Sequence, residues 1–257
     1  MAAKCSLLEV LPRLERISEQ LQIPALIGCV FYGTLRGMQI YWKGQACFYV
    51  LVQKNKQEQF KIVIDPFDPS IGLKFPSLEA DLALITHDHA DHNNGKGVKG
   101  APFFISGPGE YEVQGVFIKG ISSFHDDFQG KERGMNTMYV MEAEGIRVCH
   151  LGDLGQGELT SEQIESIGNI HVLFVPVGGV YTIGAKEAAK VVSQIEPAIV
   201  VPMHYALPNL KFKLEKLDEF LRTMGVRNVE PQNKLTLKAK DFTSEETQEL
   251  KVVVLTP

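Results

Sequence analysis

The run Thr86-His87-Asp88-His89-Ala90-Asp91-His92 places three imidazoles and two carboxylates within seven residues. Buried without partners, each such polar group would cost roughly 2–7 kcal/mol. A bound cation removes that cost, and imidazole with carboxylate is a donor set suited to Zn²⁺ and neighbouring transition metals. His87 and His89 are two residues apart, so in extended backbone their side chains leave on the same side and can share one ion. Asp91 and His92 are adjacent and do not easily join that ion, but they can serve a second one nearby. The apolar run Leu82-Ala83-Leu84-Ile85 leads straight into the cluster and sets it at the end of a buried strand, a more rigid mount than a loop.

A complete site needs further donors, and three candidates lie downstream beside expected strand ends. His125 sits in Ser122-Ser123-Phe124-His125-Asp126, Asp153 in His150-Leu151-Gly152-Asp153-Leu154, and His204 in Val201-Pro202-Met203-His204-Tyr205. Strand ends gathered on one edge are where layered α/β proteins place their sites. Other polar residues read differently. His171 precedes a buried strand and is expected to be structural. Gly107-Pro108-Gly109 is expected to be a turn, because no G-K-[ST] follows it. Gly178-Gly179 is expected to be a loop at the rim of the site. Tyr181 and Tyr205 can face either the cavity or the core.

The elements that must position these groups can be read from periodicity. Residues 39–42, 46–53 and 59–64 read as strands, the last ending at Asp65-Pro66-Phe67. Residues 81–86, 101–106, 111–119, 136–143 and 147–151 read as further strands separated by Gly, Pro and Asp turns. After Gly152 the rhythm alternates: helices over 161–167, 185–195 and 213–223, and strands over 172–177 and 198–203. Residues 229–240 and 250–255 return to strand-like composition. Strands first and α/β alternation later suit a layered α/β domain with helices outside two sheets. Residues 1–37 differ: Leu7, Leu11, Leu14, Ile17 and Leu21 recur at helical spacing, with Pro12 inside the run. The catalytic body is expected over 38–257, with Met38 a candidate initiator. The 1–37 segment is then either a helical extension packed on that body or no part of the native domain.

Composition narrows the partners. The chain has 257 residues, 44% hydrophobic and 22% charged, with a net charge of -5. That acidic balance, without Lys/Arg blocks, argues against a general nucleic-acid binder. The apolar stretch 23–33 is about half of the ~20 residues a bilayer requires, so no membrane span is expected. The four cysteines form no C-x-x-C pair, and reduced thiols in a cytoplasmic protein are the expectation.

His87-Asp88-His89-Ala90-Asp91-His92 matches the H-x-H-x-D-H signature of the metallo-β-lactamase superfamily. The Asp65-Pro66-Phe67 strand end, His125, Gly152-Asp153 and Pro202-Met203-His204-Tyr205 match its other landmarks in order. The chain therefore resembles that superfamily across residues 38–210. It is most similar to the short single-domain branch of predicted zinc-dependent hydrolases that includes L-ascorbate 6-phosphate lactonase-like proteins. The resemblance implies an α/β fold, a four-layer αββα sandwich. It implies a first metal on His87, His89 and His125, a second on Asp91, His92 and His204, and Asp153 bridging both. Asp65 would orient the metal-binding loop, with His150 behind the ligands.

Two divalent ions are the implied cofactors, Zn²⁺ first and Mn²⁺ or Fe²⁺ as alternatives. Zn²⁺ can lower the pKa of bound water to about 7, and the resulting hydroxide would attack a carbonyl or phosphoryl centre. Asp91, orienting that hydroxide, and Asp153 are the candidate catalytic residues. His150 and Tyr205 are candidate leaving-group acids beside a bound water. The expected reaction is cleavage of an ester-like bond, lactone or phosphodiester, in a small molecule, by a protein free to form homo-oligomers. The alternatives are an RNA or DNA phosphodiesterase, a di-iron redox protein and a catalytically silent metal-binding module. Di-iron relatives usually carry glutamate where this chain has His89, and RNA-cutting relatives carry an inserted domain with no counterpart here.

Overall fold

The computed structural model describes residues 37–55, 57–243 and 249–257. The expected helix at 7–21 and the question of initiation at Met38 lie outside or at the edge of these residues. Within the body, two sheets face each other. The first has the order β12-β1-β2-β3-β4-β5: β1 is Gly37–Trp42, β2 Phe48–Gln53, β3 Gln59–Ile64, β4 Leu82–Ile85, β5 Phe103–Ser106 and β12 Leu235–Leu237. The second has the order β13-β11-β10-β9-β8-β7-β6: β6 is Gly109–Val113, β7 Val116–Phe124, β8 Met135–Ala143, β9 Ile146–His150, β10 Val172–Pro176, β11 Ile199–Met203 and β13 Lys251–Val252.

Strand composition follows burial. Ile62, Ile64, Leu82 and Leu84 point into the core between the sheets. Val63 and Ala83 alternate to the outer face and pack with Phe67, Ile71, Leu78 and Val98. Because both faces are covered there, β4 and the last three residues of β3, Ile62-Val63-Ile64, read as unbroken apolar runs rather than alternating ones. Phe48 of the first sheet stacks on Phe174 of the second at 3.9 Å between ring centroids. The Tyr139 hydroxyl of β8 donates to the carbonyl of Ile85, the last residue of β4, at 2.8 Å.

Among the described residues, α1 (Ser161–Ile167) packs on β7 and α2 (Ala185–Ile195) on β10 of the second sheet, α1 and α2 touch, and α3 (Leu217–Thr223) packs on α2. Thr160 and Gln163 form a capping box on α1, each satisfying a backbone N–H of the other's residue. Ala185, Ala188, Val191, Val192 and Ile195 give α2 its buried stripe. On the outer face of the first sheet, the cover among the described residues is loop and short 3-10 turns at Pro69–Ile71 and Gly95–Gly97. No helix among the described residues is long and apolar enough to cross a membrane.

Several expected boundaries move. The single strand expected over 111–119 is a hairpin, β6 and β7, turning at Gln114-Gly115, both with positive φ. Left-handed backbone at both central residues suits the right-handed twist of the flanking strands. The helix expected over 213–223 begins only at Leu217. Before it, Glu215 donates its N–H to Gly178 and accepts from Ala206, so those residues serve tertiary pairing. The strands expected over 229–240 and 250–255 shrink to β12 and β13.

Phe48 is fully buried at the junction of the sheets. Phe48→Ala is expected to cost about 3–5 kcal/mol of stability. A denaturant midpoint unchanged from wild type would show that the sheets are not held together there.

Candidate metal centre

Five strand ends deliver the polar residues to one edge. Asp65 follows β3, Thr86 and His87 follow β4, His125 follows β7, Gly152-Asp153 follows β9, and His204 follows β11. β9, β10 and β11 are parallel. β7 runs the same way, being separated from β9 by the antiparallel β8. Gly152 is required at the β9 end: its φ is +56°, and a Cβ would strike the Asn136 amide and the Thr86 side chain.

The structure brings all seven candidate metal residues together. One nitrogen each from His87, His89 and His125 forms a first group; atoms of Asp91, His92, Asp153 and His204 form a second, with ligand atoms within 4.8 Å of one another in each. His87 Nε2 and His89 Nδ1 lie 3.0 Å apart. Asp153 stands between the groups. Its Oδ2 is 3.2 Å from His92 Nε2, 3.4 Å from His125 Nε2, 3.4 Å from His204 Nε2 and 3.9 Å from His87 Nε2. Asp91 Oδ2 lies 3.5 Å from both His92 Nε2 and His204 Nε2.

Behind this cluster lies a buried carboxylate. Asp65 Oδ1 accepts from the Thr86 backbone N–H at 2.8 Å. Its Oδ2 accepts from Thr86 Oγ1 and pairs with His92 Nδ1 and His150 Nε2 at 2.8, 2.9 and 3.0 Å. These bonds turn His92 so that Nε2 meets Asp153. Asp65 therefore positions a ligand candidate and joins ends of both sheets without entering the cluster.

The charges follow from burial and neighbours. Burial alone would raise the Asp153 carboxyl, but His204 and His92 outweigh it and hold it well below the usual carboxylate range. Asp65 is likewise held low against its burial, by His92 and His150. Burial would lower His92, yet Asp153, Asp65 and Asp91 keep its proton bound well above the ordinary range. Burial and His92 push His87 down to about 3, leaving a neutral imidazole at pH 7. Three carboxylates converging on one imidazole are a charge excess that a divalent cation would balance, releasing the His92 proton. Asp153 Oδ1 and His92 Nε2 are buried without a hydrogen-bond partner. Such orphaned polar atoms are rare in native interiors. The residues fit a metal.

Other expectations resolve plainly. His150 is buried on Asp65 between Phe48 and Phe174, and Tyr205 packs on Trp42. Neither lines the cavity, so both are removed as leaving-group acids. Tyr181 does line it, with Arg133 and Phe212, beside His89, Asp91, His125 and Asp153; the volume is ≈ 220 Å³. His171 accepts from the Arg147 backbone N–H and stacks on Phe242. Gly107-Pro108-Gly109 joins β5 to β6 as a turn.

Sequence reasoning missed Asn136, Arg133 and Phe212. Asn136 accepts from the Asp153 N–H at 3.0 Å and donates to Leu151 O and Ser123 Oγ, fixing the turn that presents Asp153. It missed Gln45 too, a buried amide whose backbone carbonyl accepts the His204 N–H at 3.1 Å.

A model of the beta-lactamase superfamily domain matches residues 39–204. The chain belongs to the metallo-β-lactamase superfamily. Within it, the chain is 33% identical over 195 residues to a UPF0173 metal-dependent hydrolase of Thermococcus onnurineus, covering 65% of this chain and 84% of that one. It is 30% identical over 225 residues to the counterpart from Methanopyrus kandleri, covering 74% and 94%. A crystal structure from Thermotoga maritima, of a candidate Zn-dependent hydrolase of the superfamily, shares 41% identity and superposes with a TM-score of 0.66. That likeness covers 85% of this chain and 100% of the other. With these relatives, the chain is a metal-dependent hydrolase.

Asp65→Asn keeps the shape of the side chain but weakens its hold on His92 and His150. Metal affinity is expected to fall about 10- to 100-fold, as for other residues that orient ligands. Competition with a chromophoric chelator measures this; unchanged affinity would remove Asp65 from the design of the site.

Proposed function

We propose that this hydrolase uses two divalent ions, Zn²⁺ by preference, to cleave an ester-like bond, lactone or phosphodiester, in a small molecule. His87, His89 and His125 would hold one ion, Asp91, His92 and His204 the other, and Asp153 both. Bound divalent ions supply Lewis acidity and a water that ionises near neutral pH. The chain's own residues do the rest. Thr86 Oγ1 lies 3.0 Å from His87 Nδ1, which leaves Nε2 facing the cluster. Asp91, partly open to the cavity, would accept a hydrogen bond from the attacking water and orient it. Tyr181 and Phe212 on the cavity wall would shed solvent from the reacting bond.

The observation that carries this reading is Asp153: one buried oxygen within 3.9 Å of four imidazole nitrogens contributed by both groups. Separate mononuclear or purely structural clusters have no need of a shared central carboxylate. The cytoplasm suits the buried free thiols Cys47 and Cys149.

Elemental analysis of the purified chain is expected to find about two equivalents of transition metal, and chelation should abolish hydrolysis across a panel of lactones, phosphodiesters, thioesters and β-lactams. A metal-free preparation with full activity would overturn the reading. His87→Ala should lose metal and activity with its far-UV circular dichroism unchanged. His171→Ala should keep both, since that ring serves only the Arg147 backbone and Phe242.

A further inference from the structure

The loop between β7 and β8 starts at His125, in the first histidine group, and ends beside Arg133. Asp126 holds it in shape. Its Oδ1 accepts the N–H groups of Phe128 and Gly130, both at 2.8 Å, and its Oδ2 those of Glu132 and Arg133, at 3.0 and 2.8 Å. His125 N donates to Gly134 O at 3.1 Å and closes the base of the loop. Four bonds to one carboxylate make this a preorganised turn, not a floppy one.

The turn delivers one cation to the reaction cavity. The Arg133 guanidinium carbon lies 4.6 Å from the Tyr181 ring centroid. Tyr181 in turn meets Phe212 edge to face at 5.7 Å. All three residues wall the cavity that holds His89, Asp91 and Asp153. Arg133 has no ion-pair partner among the described residues; its side chain is engaged with the Tyr181 ring alone. A guanidinium stacked on an aromatic face keeps its N–H fork in one plane, ready for a carboxylate or phosphate.

We infer that Arg133, held by Asp126 and backed by Tyr181, is the specificity-determining residue for an anionic group carried by the substrate, a carboxylate or phosphate set apart from the bond being cut. This rests on the hydrolytic reading of the neighbouring site. The adjoining cleft, of ≈ 350 Å³, is edged by Asp127, Glu132 and Glu187. Those carboxylates oppose further negative charge, so the subsite takes one anionic group rather than a polyanion such as nucleic acid.

The test uses the metal-loaded full chain and matched substrate pairs. One pair is a γ-lactone bearing a pendant carboxylate against the same lactone bearing a carboxamide. The other is 4-nitrophenyl hemisuccinate against 4-nitrophenyl butyrate. Wild type should prefer the anionic member by about 10- to 100-fold in kcat/KM, the range of a charge-assisted hydrogen bond. Arg133→Ala should erase that preference, the kcat/KM of the anionic member falling at least about tenfold toward that of the neutral one. Arg133→Lys keeps the charge without the planar fork and should restore part of the preference. Calorimetric binding of phenylphosphonate is measured alongside and should weaken at least about tenfold in Arg133→Ala.

No turnover of any probe, together with that loss of phenylphosphonate binding, would sink the hydrolytic reading for these substrates and leave the anion subsite standing. Unchanged preference and unchanged binding in Arg133→Ala, or an equal loss on both members of each pair, would overturn the subsite itself.

Discussion

Asp65 carries no candidate metal, yet the site depends on it. Its fully buried carboxylate ties the end of β3 to the end of β4 through Thr86, to the metal-binding loop through His92, and to the other sheet through His150. A buried charge with incomplete partners would cost several kcal/mol, so it survives only where the donors around it are fixed. The dependence runs in both directions. The donors hold Asp65 ionised, and Asp65 holds His92 in the one orientation that directs Nε2 to Asp153. Tyr139, donating to the Ile85 carbonyl one residue before Thr86, braces the same junction. The reactive edge of this hydrolase is therefore set from beneath, by groups that never reach the cavity.

Much of that edge was legible in the sequence because its chemistry is expensive to bury. Three imidazoles and two carboxylates in seven residues announce a cation, and an apolar run directly before them announces a strand end. Asp153 and His204 were legible for a similar reason, each standing at the close of an apolar segment, and His125 as the histidine of a short polar loop after a strand. The α2 helix was clear from its stripe of Ala188, Val191, Val192 and Ile195. What was not legible is where long-range pairing overrides local pattern. Gln114-Gly115 lacks the Asn-Gly signature of a tight hairpin, so two strands read as one. The segment 213–216 looks helical, but Glu215 is bonded to Gly178 and Ala206 from distant parts of the chain.

The rim of the cavity was legible only in part, and for a different reason. The sequence leaves Tyr181 facing either the cavity or the core and gives no sign of Arg133 or Phe212; the three come from separated loops, and none is of a type unusual on a surface. Nothing in one sequence tells an arginine facing solvent from one facing a cavity. The difference lies in the Asp126 turn, whose four backbone bonds form only once the loop has closed. Reaction class is thus written in compact motifs on rigid strand ends, while substrate choice is written in loop geometry. Asn136 belongs with the floor: its amide reads as an ordinary strand residue until the β9 turn folds onto it and presents the Asp153 N–H.

The backbone itself shows how tightly that floor is specified. Asp65, Gly152 and His204 have φ of 46°, 56° and 51°, in the left-handed region, each within two residues of a strand's end. For Asp65 and His204, which are not glycines, that conformation costs of order 1–3 kcal/mol. Such strain persists only where the surroundings overdetermine it, and here they do. Asp65 is fixed by its four bonds, and the His204 N–H is fixed by the Gln45 carbonyl, itself on a residue with φ of 51° and bonded to the Trp42 indole. A gradual bend would spread the ligand candidates along the sheet edge. A one-residue left-handed turn lets chains from both sheets stop abruptly, so that carboxylates and imidazoles from five strands occupy a space only a few ångströms across. The strain and the clustered charge are two costs of the same compactness, and both are offset by the packing of Phe48, Phe174 and Trp42 directly behind them.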